Sequence, residues 1–317
     1  MRELTQEQRD WTMDQLNALI AANNNEDNQG GQTRAAELVG ISGSILSGLR
    51  NGTYKGRVDE KLAQLYEYFS TKKEAAATYA ARSYVATSIS GDIEKYLRYC
   101  HIKGGVMSLT GDAGVGKTMA IRHYMANHTD TCIRITMRSG YTNQKVILTL
   151  IGKELGVSAK GGIQAWCEAL TPKLRDGMLL IVDEAQHCTL KQIDLLRSFS
   201  DEREEQGQTL GIAFVGNRLT ANKFGAAADS ELGQISSRSI ANRHYSVKDV
   251  RRDDILRLFP GVSGDEPCVD FLLALAQDSQ GIRGAVRAYT NAADNGDVSY
   301  DGIVAAARLR LGRRISA

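Results

Sequence analysis

Eight consecutive residues constrain this chain more than any others. Gly111, Asp112, Ala113, Gly114, Val115, Gly116, Lys117 and Thr118 satisfy G-x-x-x-x-G-K-[ST] in full. An apolar run at 106–109 precedes them, and Met119 begins a helical stretch reaching Ala126. Strand, glycine turn and helix start is the order a phosphate-binding loop requires. Glycines let the backbone turn tightly and point its N–H groups at phosphate oxygens, and the helix start adds partial positive charge. Lys117 is therefore expected at the β- and γ-phosphates of ATP. The Thr118 hydroxyl is expected on Mg²⁺, with Met119 in the helical turn beside them.

A loop of this kind needs a parallel sheet behind it, and the pattern downstream supplies one. Apolar runs at 106–110, 132–137, 178–183, 211–216 and 243–247 alternate with amphipathic stretches, the signature of strands joined by crossover helices. The run at 178–183 ends in Asp183 followed by Glu184. Asp183 is expected to hold the Mg²⁺ shell and Glu184 to orient and deprotonate a water. Beyond Lys248 only helical periodicity remains (Ile255, Leu258 and Phe259, then Phe271, Leu272 and Leu275), closing on a basic tail with Arg308, Arg310, Arg313 and Arg314.

Bulk properties narrow the class. A chain of 317 residues has room for two or three domains, and 42% hydrophobic with 24% charged residues is ordinary for a globular protein. Runs such as 178–182 and 271–276 are far too short to span a bilayer. The first residues lack the apolar stretch of a secretory signal, so a cytoplasmic protein is expected. Five scattered cysteines without metal-ligand spacing point to reduced, buried thiols. A net charge of +2 does not by itself announce nucleic acid.

The first 70 residues read as short helices. Residues 33–52 suggest helix, tight turn and helix, with Gly40 in the turn and Ser42 capping the second helix. Ala35, Ala36, Val39, Ile41 and Ile45 have the spacing that packs two such helices together. Ser44, Ser47, Arg50, Tyr54, Lys55 and Arg57 would then face a DNA duplex. A small helical protein-interaction domain is the competing reading.

Taken in order, these motifs resemble AAA+ ATPases. That resemblance places Asn217, at the end of the strand at 210–216, beside the γ-phosphate. It makes Arg238, in Ser237-Arg238, an arginine finger reaching a neighbouring subunit's nucleotide, with Arg243 the substitute. It also makes Arg287, in Gly284-Ala-Val-Arg287, the lid arginine, with Arg283 the substitute. His187 in Asp183-Glu-Ala-Gln-His187 invites a helicase reading, but no second sheet domain follows to complete one. The whole order, with the pattern Ser42-Gly-Ser-Ile-Leu-Ser-Gly-Leu, is similar to the transposition protein B family of phage Mu and its relatives.

The resemblance implies an α/β AAA+ P-loop ATPase core with a parallel sheet and a small helical lid, preceded by an all-α helix-turn-helix domain. The expected boundaries are 1–70 for the helix-turn-helix, 71–90 for a linker, 91–247 for the core and 248–317 for the lid. It further implies ATP and Mg²⁺ as cofactors, with a helical homo-oligomeric filament on double-stranded DNA in a bacterial cytoplasm. That filament would deliver target DNA to a transposase and be released on hydrolysis. Arg138, Lys145 and Lys160 are candidate DNA contacts on its inner face. A helicase loader and an ATP-switched transcription regulator are the alternatives.

Overall fold

The computed structural model describes residues 4–24, 30–80, 84–225 and 239–311. The chain divides into two compact units, Met1–Ser83 and Tyr84–Ala317.

The first unit is helical: α1 (Gln6–Ala22), α2 (Gly31–Val39), α3 (Gly43–Arg50) and α4 (Val58–Ala80). Local chemistry sets its boundaries. The Thr5 hydroxyl accepts from Gln8 N while the Gln8 amide accepts from Thr5 N, a reciprocal cap on α1. Gly40 at φ 70° ends α2, and the Ser42 hydroxyl accepts from Ile45 N to open α3. Leu16, Ala35, Leu46 and Leu65 are fully buried, one from each helix, so all four close a single core. α4 runs on to Ala80, so the first half of the stretch expected as a linker, 71–90, is helix.

The second unit is built on a five-stranded parallel sheet. Its elements are α5 (Ser88–Lys103), β1 (Gly105–Gly111), α6 (Lys117–Ala126), β2 (Cys132–Thr136), α7 (Gln144–Glu154) and α8 (Ile163–Leu170). They continue with β3 (Met178–Asp183), α9 (Leu190–Glu205), β4 (Leu210–Gly216), α10 (Arg218–Gly225) and β5 (Ser239–Tyr245). Then follow α11 (Arg252–Leu258), α12 (Glu266–Ala276), α13 (Ile282–Asp294) and α14 (Tyr300–Leu311). Strand order is β2-β3-β4-β1-β5, every pairing parallel. Both faces are covered, and β3 shows how. Leu179 and Ile181 enter the cluster shared with α5, α6 and the C-terminal helices. Met178, Leu180 and Val182 enter the cluster formed with α7, α8 and α9. The carboxyl ends of β1, β3 and β4 thus share one edge, where ligands of such sheets bind.

The fifth strand lies earlier than its apolar pattern suggests. It spans Ser239–Tyr245, pairing Val106 with Ser239 and Gly111 with Tyr245, rather than 243–247. Ser246 ends it: its hydroxyl accepts from Lys248 N and its N–H donates to Asp249, starting a 3-10 turn at Val247–Asp249. C-terminal helices α11–α14 pack on the β1 side of the sheet, and the fully buried Asp254 anchors them. Its carboxylate accepts from Ser88 N, Ser88 Oγ and Arg251 N.

Candidate nucleotide and hydrolysis site

The glycine loop joins β1 to α6 as its sequence requires. Gly114 (φ 80°) and Gly116 (φ 99°) occupy left-handed backbone that a side chain would strain. Gly111 has a different reason to lack a side chain, since a Cβ there would sit 2.6 Å from Tyr245 O. The loop is pinned to the end of β5: Asp112 N donates to Tyr245 O, and the Asp112 carboxylate accepts from Val247 N. Among the described residues no side chain caps the start of α6. Its first N–H groups are therefore available to an anion.

Lys117 is the electrostatic centre. Its Nζ donates to Gly111 O and Asp112 O, each at 2.8 Å. Burial pushes its pKa below the usual lysine value. Glu184, Asp183 and Asp112 oppose that shift, while Arg283 adds to it. Residues from β3, the loop and α13 are thus within electrostatic reach of one ammonium group. An uncapped helix start, a partly buried ammonium, the Thr118 hydroxyl and two nearby carboxylates form a donor set suited to a magnesium-bound phosphate chain. Protein ligands are few, as expected for Mg²⁺, which keeps much of its coordination from phosphate and water.

At the end of β3, Asp183 is buried and fully engaged. Its Oδ2 accepts from Arg134 of β2 at 2.8 Å, and its Oδ1 accepts from Glu184 N at 2.9 Å. Sequence reasoning missed Arg134; a lone arginine inside the run Cys-Ile-Arg-Ile-Thr is the signal that could have found it. Glu184 is exposed and has φ 55°, the one positive φ at a non-glycine residue among those described. Its carboxylate accepts from the side-chain amide of Gln186. Asn217 follows β4, and its side-chain oxygen accepts from Leu219 N, starting α10. Its own N–H donates to Gln186 Oε1.

The C-terminal helices touch the loop directly. A Cβ on Gly114 would lie 2.0 Å from Gln280 O, and one on Gly281 would lie 2.7 Å from Ala113 O. Two bare backbones meet here, at the start of α13. Arg283 and Arg287 lie one turn apart on that helix, both exposed. Arg283 bears on Lys117 electrostatically, lowering its pKa further. Arg287 instead lines a small cavity with Leu275, Asp278, Gln280 and Ala306.

Comparison with known proteins agrees with this geometry. The AAA domain family matches residues 101–223, from the end of α5 into α10. The Mu-like prophage FluMu DNA transposition protein B of Haemophilus influenzae is 28% identical over 270 residues, covering 83% of this chain and 91% of the relative. The ATP-dependent target DNA activator B of Escherichia phage Mu is 26% identical over 221 residues, covering 68% of this chain and 67% of the relative. Over most of its length the chain is thus similar to transposition protein B of Mu-like phages. With its AAA domain it is an AAA+ ATPase that binds nucleotide. Among solved structures, the ORC2 protein of Aeropyrum pernix (ADPNP–ADP complexes) shares the fold. Its TM-score is 0.54 at 16% identity, covering 74% of this chain and 72% of that one.

The other residues singled out in this chain are scattered. Arg238 lies outside the described residues. Arg243 is half exposed, pairs with Asp92 at 3.5 Å and stands over the Tyr245 ring. Arg138 and Lys145 are exposed and flank the β2–α7 connection at the carboxyl edge of the sheet. Lys160 is also exposed but follows α7, about 16 Å of helix away. In the first unit, Arg50 donates to Asn17 and Gln32 and so braces the fold. The Ser44 hydroxyl meets that of Ser42, and Arg57 pairs with Glu60. Lys55 is exposed. No helix among the described residues is long and apolar enough to cross a membrane.

Proposed function

We propose that this chain is an ATP-dependent DNA-binding protein that assembles on duplex target DNA with little sequence preference. It hands that DNA to a transposase and leaves on hydrolysis. The observation that carries the nucleotide chemistry is the convergence of Asp112, Asp183, Glu184 and Arg283 on Lys117 at an uncapped helix start. The printed name of the phage Mu relative, a target DNA activator, supports the DNA role.

In this reading Lys117 and the N–H groups of 114–118 hold the phosphates, while Thr118 and Asp183 would hold Mg²⁺. The ion, when bound, neutralises charge on the phosphoryl oxygens. Glu184 orients and deprotonates the attacking water, and Asn217 steadies it. Arg283, ahead of Arg287, reaches the nucleotide from the lid. Arg238 of one subunit reaches the nucleotide of the next, so ATP favours the assembled state, and that state binds DNA more tightly. Arg138 and Lys145 meet phosphates, and α2–Gly40–α3 acts as a helix-turn-helix with Lys55 and Arg57 at its edge. Arg50, committed to Asn17 and Gln32, contributes to the fold of that unit instead.

The test is co-sedimentation with random duplex DNA in ATP and in ADP, repeated across salt. Binding that needs ATP and weakens steeply with salt is expected, because phosphate contacts displace counterions. Equal binding with both nucleotides contradicts the reading.

A further inference from the structure

The structure assigns a role to Gln186 that the motif alone does not. Gln186 lies in the short 3-10 turn Ala185–His187, directly after the Asp183–Glu184 pair. Its side-chain amide makes two contacts. Asn217 N donates to Gln186 Oε1 at 3.3 Å, and Gln186 Nε2 donates to Glu184 Oε2. A backbone N–H can only donate, so the amide oxygen must face Asn217 and the NH₂ must face Glu184. The amide therefore has one permitted orientation, and the residues around it are shaped to that orientation. Gly216 leaves room for it: a Cβ there would lie 2.7 Å from Gln186 Oε1. Lys223 of α10 donates to Gln186 O and Cys188 O, fastening the turn to the helix that follows Asn217.

What this arrangement holds is a carboxylate on a strained backbone. Glu184 sits in the left-handed region that only glycine enters freely, so its side-chain direction is not the one a relaxed strand end would give. We propose that Gln186 is the positioning residue for Glu184. It aims the carboxylate and keeps it in register with the end of β4 and with α10. The proposal rests on Glu184 being the base that acts on water. In the chemical step Gln186 exchanges no proton; its NH₂ stays a donor to the carboxylate while Glu184 takes the water's proton. Hydrolysis, and not nucleotide binding, should depend on it.

The experiment compares Gln186→Ala, Gln186→Glu and Glu184→Gln in the full chain, by steady-state ATPase and by titration with a fluorescent ATP analogue. Gln186→Ala should lose at least about tenfold in kcat, part of what a positioned base contributes. KM and analogue affinity should stay within about twofold of wild type. Gln186→Glu keeps the shape but, at pH 8, replaces a donor with a second carboxylate facing Glu184. Its kcat should fall further. A packing role predicts wild-type kcat for Gln186→Glu. That result, or wild-type kcat in Gln186→Ala, overturns the proposal. Wild-type hydrolysis by Glu184→Gln overturns the assignment of Glu184 itself, and is read separately.

Discussion

The backbone contact between the glycine loop and the start of α13 gives the most exacting test of the site. Gly281 has φ 63°, and a Cβ there would lie 2.7 Å from both Ala113 O and Gly114 C. Ordinary contact begins near 3.4 Å, so Gly281→Ala is about 0.7 Å too close to atoms that cannot rotate away. The left-handed conformation adds about 1–2 kcal/mol of strain. Both costs are relieved if the start of α13 moves off the loop, and Arg283, two residues on, moves with it. A charged contact to phosphate contributes about 1.5–3 kcal/mol, so nucleotide affinity should fall about ten- to a hundredfold. Gly296→Ala separates strain from displacement. Gly296 has φ 75° and nothing within 4 Å of the added carbon, so that variant should lose stability but not affinity. The assay is titration with a fluorescent ATP analogue for Gly281→Ala, Arg283→Ala and the double variant. If displacement of Arg283 is the cause, the double variant should bind no more weakly than Arg283→Ala alone. Affinity in Gly281→Ala equal to that in Gly296→Ala, or fully additive losses, refutes the reasoning.

Two further outcomes follow from the same geometry. Burial holds the Lys117 pKa below the usual 10.5, and the charged form is the one that meets phosphate. ATP affinity should therefore fall as pH rises through that lowered value, by up to tenfold per unit, and Lys117→Arg should abolish this alkaline limb; affinity flat to pH 10 in wild type would contradict it. Asp254→Ala leaves Ser88 N and Arg251 N without their acceptor and should destabilise the second unit by about 3 kcal/mol. Urea unfolding read through Trp166, in a Trp11→Phe background, checks this, and a change under about 0.5 kcal/mol refutes it.

The parts of the fold legible in the sequence are those where local pattern and tertiary demand coincide. β3 and β4 are buried on both faces, so they read as continuous apolar runs. The glycine loop declares itself because its conformation needs those residue types in that order. β5 pairs on one side only, and its residues Ser-Ile-Ala-Asn-Arg-His-Tyr answer to pairing with β1 rather than to hydrophobicity. Its start was therefore invisible to a search for apolar runs. The Ala-rich stretch after residue 70 reads by composition as a linker, helical or flexible; alanine is the strongest helix former, and α4 continues through it to Ala80. Arg134, Gln186 and Asp254 act through partners that lie, in turn, 49, 31 and 166 positions away. No local pattern announces such pairs. The choice between Arg283 and Arg287 likewise depends on which turn of α13 faces the loop, a matter of packing.

A charge count around Lys117 bears on why assembly should respond to the nucleotide. Among the described residues, the charges acting on Lys117 and Asp183 are the cations Lys117, Arg283 and Arg134 and the anions Asp112, Asp183 and Glu184. These cancel. A triphosphate adds about four negative charges and Mg²⁺ returns about two, so the loaded site carries an uncompensated charge of about −2. With a diphosphate the excess is about half that. Glu184 is exposed, so the hydrolytic side of the site opens outward. Any further positive charge, from solvent ions or from an arginine, is favoured there, and a fixed guanidinium is the stronger partner for a phosphoryl group. On this argument an arginine supplied by the next subunit is attracted more strongly by ATP than by ADP. Adding a cation within the site should weaken that dependence. Gln186→Lys, whose ammonium would stand beside Glu184, should narrow the ATP-over-ADP preference in DNA co-sedimentation, and an undiminished preference would remove electrostatic balance as its cause.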